Sequence, residues 1–209
     1  MYAVVRKFEE QVAEFAGAKY GIAVSSCSNA IFLSLLWALK NDKRDKIWFH
    51  IPKRTYPSIP CSIIHAGRIV GKKITLCWNE EIWSGAYRIY PYELYDSALR
   101  FRENMYVRGS LYCLSFHMKK KLPIGRGGMI LTDDVEARDY LSSAKLDGRI
   151  EGADFLKEEI MDLGWNMYLP PPDGARGLQL FQQFKKEGDQ MDLVQQYPDL
   201  SKYKVYKCT

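Results

Sequence analysis

The sequence predicts an α/β protein with a doubly wound sheet. Between residues 4 and 68, predicted helices alternate with short apolar strands, starting with a helix and ending with a strand. The stretch 110–132 adds two apolar strands that flank a run of lysines and a glycine-rich turn. Polar residues follow several of these strands, and ligands of open α/β sheets bind at the carboxyl ends of strands. The pattern therefore predicts a ligand site at one edge of the sheet.

The composition is that of an ordinary globular protein. The chain has 209 residues, of which 47% are hydrophobic and 26% are charged, enough for a sizeable core. No apolar run approaches the roughly 18 residues of a membrane span, and the first residues lack the apolar region of a signal peptide. The five cysteines are scattered without a C-x-x-C pair, which predicts neither a disulfide framework nor a zinc site. We therefore expect a cytoplasmic protein without a membrane partner or a metal.

The first helix and strand lead to a turn suited to anions. Residues 4–16 carry apolar side chains at helical spacing and end at Gly17. A strand over residues 21–24 runs into the small polar turn 25–29 and then into a strongly apolar helix. This arrangement leaves backbone N–H groups and the positive end of a helix dipole facing an anion. Alternatively, Ser28 is simply the N-cap of the helix, and the two interpretations are compatible.

The middle of the chain continues the alternation of strands and helices. Residues 46–52 predict a buried strand, and residues 58–67 predict a helix that ends at a glycine and is followed by a new strand. Residues 76–92 are aromatic and lack periodicity, so we expect a loop or an edge segment there. A short strand then ends at Asp96, which places its carboxylate at the ligand-binding edge. Alternatively, Asp96 caps the turn that follows.

The stretch 110–132 contains the most reactive group of residues. Lys119, Lys120 and Lys121 follow an apolar strand, and the glycine-rich turn 125–128 leads into a second strand. Lysines at the mouth of two buried strands are poorly placed for a core and well placed for a site. A lysine run taken alone is more often a solvated basic hairpin. Other features of the sequence are needed to distinguish a functional site from a solvated hairpin.

The last third is predicted to contain two helices and a tail. Residues 133–148 predict a charged amphipathic helix, and residues 149–163 a solvated connection with a helical turn. Three prolines define the start of a helix that extends to residue 188. The sequence from residue 190 is polar and aromatic, with no strong pattern.

Three of these features together match the needs of pyridoxal 5'-phosphate. A lysine amine forms its Schiff base, a carboxylate keeps its pyridine nitrogen protonated, and a helix N-terminus holds its phosphate. The cations at positions 119 and 121 would help to keep the amine of Lys120 neutral. The histidines 50 and 65 stand in apolar sequence and are assigned no role.

Five segments, in this order along the chain, match the pattern of one enzyme family. They are residues 8–31, Thr55-Tyr56, Tyr95-Asp96-Ser97-Ala98, residues 115–129 and residues 164–180. Together they resemble the DegT/DnrJ/StrS sugar aminotransferases, which are pyridoxal phosphate enzymes of the fold-type I, aspartate aminotransferase-like class. The resemblance implies a three-layer α/β/α fold with a mixed, mostly parallel sheet, similar to the large cofactor-binding domain of that class.

The resemblance also implies roles for individual residues. Lys120 would be the Schiff-base lysine and Asp96 the partner of the pyridine nitrogen, and these two form the catalytic pair. The ring of Tyr56 would stack on the cofactor, and Asn166 would reach the cofactor of a partner subunit in a homodimer with shared active sites. The implied phosphate contacts are Ser26, Cys27, Ser28 and Ser115.

The chain departs from the family pattern at several positions. Cys27-Ser28 replaces the usual Gly-Thr. Leu99 stands where the family usually has a glutamine near the cofactor hydroxyl, and Tyr168 stands where an arginine is common. Most of the small C-terminal domain is also missing. We therefore predict an abbreviated pyridoxal phosphate-binding domain over residues 1–189 and a remnant of the small domain over residues 190–209.

The predicted function is that of a pyridoxal phosphate-dependent aminotransferase. It would move an amino group from an amino acid donor to a keto group, and the resemblance implies a nucleotide-linked sugar as the acceptor. The alternative is a catalytically reduced homologue that acts as a binding or regulatory subunit. The lost domain and Leu99 favour that alternative, whereas the intact Lys120 and Asp96 oppose it. A nucleic-acid partner is not expected, because the basic residues are spread along the chain.

Overall fold

A computed structural model describes residues 2–154, 156–158, 160, 162–187, 192–193 and 196–207. Helices and strands alternate as far as residue 79, as the sequence predicts, and strands then follow one another up to residue 132. The helices are α1 (Ala3–Ala16), α2 (Cys27–Lys40), α3 (Ser58–Ile69), α4 (Val135–Ala144) and α5 (Pro171–Phe184). The strands are β1 (Tyr20–Val24), β2 (Lys46–Pro52), β3 (Lys73–Asn79), β4 (Tyr87–Arg88), β5 (Leu94–Ser97), β6 (Leu111–Ser115) and β7 (Gly128–Thr132). None of the described helices is long and apolar enough to cross a membrane.

The strands form a mixed sheet, which confirms the predicted fold class. The main sheet has the order β1-β7-β6-β5-β4, and β2 and β3 pair in parallel beside it. Strands β5 and β6 are parallel, and β7 runs antiparallel to both β6 and β1, so β1, β5 and β6 share one direction. The backbone N–H of His50 in β2 donates to the carbonyl of Tyr90, 3.1 Å away, which connects the two sheets.

Helices cover both faces of the sheet and create two apolar cores. One core lies between the sheet and helices α2, α3 and α4, and the other between the sheet and helices α1 and α5. Alternate residues of β7 enter the two cores: Ile130 enters the first, and Met129 and Leu131 enter the second. This alternation follows from the two-residue period of a strand. The protein therefore has three layers.

Two predicted boundaries between elements were wrong. Helix α3 continues past Gly67, and β3 begins only at Lys73. A Cβ atom at Gly67 would lie 2.1 Å from the side chain of Ile74, so this glycine permits close packing of helix and strand and does not end the helix. Part of the segment predicted as a loop or edge, residues 76–79, belongs to β3.

The helix predicted over residues 133–148 is shorter than expected. It ends at Ala144, and Lys145 is buried beside Glu9 of α1, with Nζ 2.7 Å from Oε1. The same Glu9 oxygen accepts a hydrogen bond from the backbone N–H of Ala23 in β1. This ion pair therefore joins α1, β1 and the end of α4. His50 and His65, which the sequence places in apolar surroundings, are both exposed.

Candidate active site

A cavity of about 380 Å³ opens at the carboxyl edge of the sheet. Its walls come from the residues that follow β1, β2, β5 and β6, and from the start of the antiparallel β7. This is the position at which α/β sheets bind ligands, and the volume is typical of small-molecule sites. Seven of the predicted site residues line it: Ser26, Cys27, Ser28, Tyr56, Asp96, Ser115 and Lys120.

The turn after β1 presents the N-terminus of α2 to the cavity. Ser26, and not Ser28, is the N-cap residue, because its side chain accepts the backbone N–H of Asn29 at 3.1 Å. The hydroxyl of Ser28 instead donates to the hydroxyl of Ser58 at the start of α3, 2.8 Å away. The first turns of two helices therefore meet at the cavity with their hydroxyl groups and amides, which is an arrangement that suits an anion.

Two glycines of the glycine-rich turn allow this approach. A Cβ atom at Gly128 would lie 2.5 Å from the backbone nitrogen of Cys27, so a side chain there would push the turn that precedes α2 away from β7. Gly127 has a φ of +116°, which side chains disfavour, and its added Cβ would meet Leu169 at 2.9 Å. Gly127 and Gly128 are therefore explained by close packing against Leu169 and against the turn that precedes α2.

Asp96 is the buried acid of the cavity, with 3% of its surface exposed. One carboxylate oxygen accepts the backbone N–H of Ala98 at 3.0 Å, and the other accepts the hydroxyl of Tyr87 at 3.2 Å. Burial raises the pKa of Asp96, and these two hydrogen bonds partly oppose that rise. Both sequence interpretations therefore apply, because the carboxyl group lines the cavity and also caps the turn after β5.

Tyr87 and Thr55 form a chain of hydrogen bonds that ends at Asp96. The Tyr87 hydroxyl is hydrogen-bonded to the hydroxyl of Thr55 as well as to Asp96. Because Tyr87 has one proton to donate and gives it to the carboxylate, Thr55 is the donor in the other bond. Tyr87 was missed by sequence reasoning since it lies in an aromatic segment that has no periodicity.

We predict that Tyr87→Phe lowers the free energy of unfolding by about 1–3 kcal/mol, because it leaves buried polar groups at Thr55 and Asp96 without their partner. Urea denaturation of the wild type and the variant measures the difference. Tyr90→Phe is the matched control: its ring is 48% exposed, and we expect a change within about 0.5 kcal/mol. Equal losses of unfolding free energy in Tyr87→Phe and Tyr90→Phe would contradict the stabilising role assigned to the Tyr87 hydroxyl.

Lys120 projects from the turn that follows β6. Its backbone N–H donates to the carbonyl of His117 at 2.8 Å, and its half-buried side chain lines the cavity. Burial lowers the pKa of Lys120, whereas Asp96 and Cys27 act in the opposite direction. Desolvation is therefore the largest cause of the shift, and the help expected from the neighbouring lysines stays a prediction.

The remaining predicted residues occupy different positions around the site. Ser115 ends β6 opposite Gly128, and the Cys27 thiol lies in the wall, where burial raises its pKa well above its usual value. The Tyr56 ring stands at the mouth and is 53% exposed. Asn166 does not line this cavity: it is exposed, and its side chain lies 3.4 Å from that of Asp147.

The cavity fits the predicted cofactor in its donor set. It combines a buried carboxylate for a ring nitrogen, an amine for an aldehyde and two helix N-termini for a phosphate. Of the departures from the family pattern, Cys27 and Ser28 line the cavity, whereas Leu99 and Tyr168 lie outside its lining. Leu99 is buried, and the ring of Tyr168 packs edge-on against Tyr2 at 5.6 Å.

The sequence matches the model of the DegT/DnrJ/EryC1/StrS aminotransferase family over residues 1–70 and 105–197. Residues 71–104, which include Asp96 and Tyr87, lie outside the match. A comparison with curated proteins finds no match. The assignment of Asp96 therefore depends on its position in the cavity and on its local sequence.

Several solved structures share the fold at low sequence identity. The sugar aminotransferase CalS13 from Micromonospora echinospora is 14% identical, with a TM-score of 0.67 over 88% of this chain and 61% of its own. PseC from Helicobacter pylori, an aminotransferase involved in the biosynthesis of pseudoaminic acid, is 17% identical. Its TM-score is 0.72, and the match covers 88% of this chain and 58% of PseC. A DegT DnrJ EryC1 StrS aminotransferase from Brucella abortus is 15% identical. Its TM-score is 0.64, and the match covers 88% of this chain and 59% of the Brucella protein. The chain thus spans about three-fifths of the length of these structures.

Proposed function

The chain belongs to the DegT/DnrJ/EryC1/StrS aminotransferase family, whose cofactor is pyridoxal 5'-phosphate, and on this basis we propose that it is itself an aminotransferase. It would transfer an amino group from an amino acid donor, such as glutamate, to a keto group on a small molecule. The likeness to sugar aminotransferases supports a nucleotide-linked sugar as the acceptor. The observation that carries the proposal is the presence of Lys120, Asp96 and the α2 N-terminus in one cavity.

Lys120 has two tasks in this proposal. Bound pyridoxal phosphate supplies an aldehyde for covalent attachment and a ring that draws electrons away from the Cα atom of the donor. The Lys120 amine would hold the cofactor through that aldehyde until the amino group of the donor displaces it. The released Nζ would then accept the Cα proton and return it to the carbon that carried the aldehyde. Partial burial lowers the pKa of Lys120, so more of the amine is in the neutral form that accepts a proton.

Asp96 would hold the proton on the ring nitrogen. Its carboxylate is fixed by the Ala98 backbone N–H and by the Tyr87 hydroxyl, so its orientation is set before the cofactor binds. The cationic ring nitrogen would offset the burial that raises the pKa of Asp96, which would favour the ionised carboxylate. This charge pair would be shielded from water and therefore stronger than an exposed one.

The phosphate would bind where the two helices meet. Ser26, Cys27 and Ser28 supply the first turn of α2, and Ser115 stands on the neighbouring strand β6. The thiol of Cys27 would stay protonated, because burial raises its pKa, and so it would not repel the phosphate. The exposed ring of Tyr56 would cover one face of the cofactor.

We propose a homodimer in which each subunit completes the site of the other. Asn166 is exposed and does not line its own cavity, as expected of a residue that serves a partner subunit. The neighbouring connection exposes several large apolar side chains, which is typical of an interface. They are Ile150, Leu156, Ile160 and Leu163. We also propose a cytoplasmic location, since the described cysteines are free thiols.

A single-turnover experiment tests the aminotransferase proposal. The full chain is loaded with pyridoxal phosphate and incubated with single amino acids in the absence of an acceptor, and the released 2-oxo acid is measured. We expect a burst of about one equivalent per site with at least one donor, as in ping-pong catalysis. Lys43 is exposed, and we expect the Lys43→Ala variant to release as much 2-oxo acid as the wild type. A loaded protein that releases no oxo acid from any donor would support the alternative role as a binding or regulatory subunit.

A further inference from the structure

Residues 196–207 of the C-terminal tail pack beside the mouth of the cavity. Leu200 is buried, and its backbone N–H donates to the carbonyl of Lys53, just after β2, at 2.8 Å. Tyr206 packs against Trp78 of β3, with ring centroids 5.9 Å apart, and its hydroxyl lies 3.7 Å from the sulfur of Cys61 in α3. The tail is therefore attached to the two elements that bracket Tyr56.

This attachment places the Tyr197 ring at the cavity. The ring lines the cavity and stacks on Trp83, with centroids 5.8 Å apart and planes inclined by 15°. The carbonyl of Tyr197 accepts a hydrogen bond from the guanidinium of Arg54 at 3.3 Å, and the indole N–H of Trp83 donates to the carbonyl of Arg54 at 2.9 Å. Arg54 thus connects both aromatic residues to the loop that carries Tyr56.

The Tyr197 ring forms a wall and does not fill the cavity. Its plane is inclined by 73° to that of Tyr56, with centroids 6.2 Å apart, so the two rings make a corner. With Tyr197 in place, the cavity still measures about 380 Å³, within the usual range for small-molecule sites. A planar ligand lying on Tyr56 would therefore meet the face or edge of Tyr197 at its side.

We propose that Tyr197 is a cofactor-binding residue and that docking of the tail and binding of pyridoxal phosphate stabilise each other. The inference rests on the proposed function, because it assumes that this cavity holds the cofactor. The Tyr197 contacts exist only when the tail is docked, so a cofactor that uses them binds the docked form more tightly. By linkage, the bound cofactor then favours docking by the same factor.

The charge state of Tyr197 agrees with this role. Burial raises the pKa of its phenol, and the nearby carboxylate of Asp96 acts in the same direction. The hydroxyl therefore stays neutral at physiological pH and adds no second negative charge beside Asp96. A neutral phenol can pack against an aromatic cofactor ring without disturbing the charge pair proposed for its nitrogen.

The test compares Tyr197→Ala with Tyr203→Ala in the full chain. Tyr203 belongs to the same tail, is 51% exposed and lies outside the cavity lining, so it controls for general effects on the tail. We expect Tyr197→Ala to weaken binding of pyridoxal phosphate by roughly tenfold, as expected for loss of an aromatic contact, and Tyr203→Ala to leave it unchanged. Tyr197→Phe, which retains the ring, should bind the cofactor nearly as well as the wild type.

Hydrogen exchange of the wild type provides a second readout that does not depend on any variant. Addition of pyridoxal phosphate should slow amide exchange in residues 196–207, and the effect should be lost in Tyr197→Ala. A wild type that binds the cofactor at Lys120, with unchanged exchange in the tail and unchanged affinity in Tyr197→Ala, would overturn this inference and leave the proposed function intact. A wild type that binds no cofactor would overturn both.

Discussion

Replacing Lys120 with alanine is expected to abolish covalent attachment of pyridoxal phosphate and to lower the rate of amino transfer by at least about 10²- to 10⁴-fold, the usual contribution of a general base alone. The attachment requires a neutral amine inside the cavity, and Lys120 lines the cavity with a pKa that burial lowers. The visible absorbance band of the loaded protein and its retention through gel filtration report the attachment. Activity with an accepted donor reports the rate.

Lys119→Ala is the matched control, because Lys119 also lines the cavity and precedes Lys120 directly. Lys119 is exposed, whereas the side chain of Lys120 is half-buried. We expect Lys119→Ala to keep the visible band and the covalent attachment. Loss of the band in Lys119→Ala together with its persistence in Lys120→Ala would show that the register of the lysine run has been assigned wrongly.

Asp96→Asn is expected to weaken cofactor binding by roughly 10- to 100-fold without weakening the cofactor-free fold. The amide keeps an oxygen for the Ala98 backbone N–H and a polar group for Tyr87, but it cannot hold a charged ring nitrogen. Loss of a buried charge-assisted hydrogen bond accounts for the expected change in affinity. Titration of the apoprotein with pyridoxal phosphate measures the affinity, and urea denaturation measures the stability.

The pH dependence of stability provides a second signature of Asp96. Its pKa is raised in the folded protein, so the folded state holds the proton more tightly than the unfolded state. The contribution of Asp96 to stability is therefore fully present below the pKa of the unfolded chain and is lost as the pH rises through the folded pKa. Between the unfolded and the folded pKa of Asp96, the wild type should therefore lose unfolding free energy relative to Asp96→Asn as the pH rises. A difference independent of pH would contradict the raised pKa.

Local sequence patterns were enough to predict most of the fold and the centre of the site. The alternation of apolar runs predicted the helices and strands, and Asp96 and Lys120 stand at strand ends that the fold brings to one edge. Errors arose where one residue type serves two purposes. Gly67 was interpreted as a helix end because glycine is common there, whereas it makes room for Ile74. Ser26 and Ser28 suit an N-cap equally well, and only the three-dimensional hydrogen bonds distinguish them.

The outer parts of the site could not be predicted because they depend on contacts between distant parts of the chain. Tyr87 and Trp83 lie in an aromatic segment whose side chains show no periodicity. Tyr197 lies in the tail and meets Trp83 and Tyr56 only through the folded structure. A single sequence provides no local signal for such contacts, and a segment without periodicity is read as a loop. The aromatic corner formed by Tyr56 and Tyr197 is therefore a finding of the structure.

The most direct test of the proposed cofactor site is chemical. The full wild-type chain is mixed with pyridoxal phosphate, its visible absorbance is recorded, the mixture is reduced with borohydride, and the modified peptide is mapped by mass spectrometry. We predict one pyridoxyl group, located on Lys120. A group on another lysine would contradict the assigned register, and the absence of both absorbance band and adduct would contradict the claim that this cavity holds the cofactor.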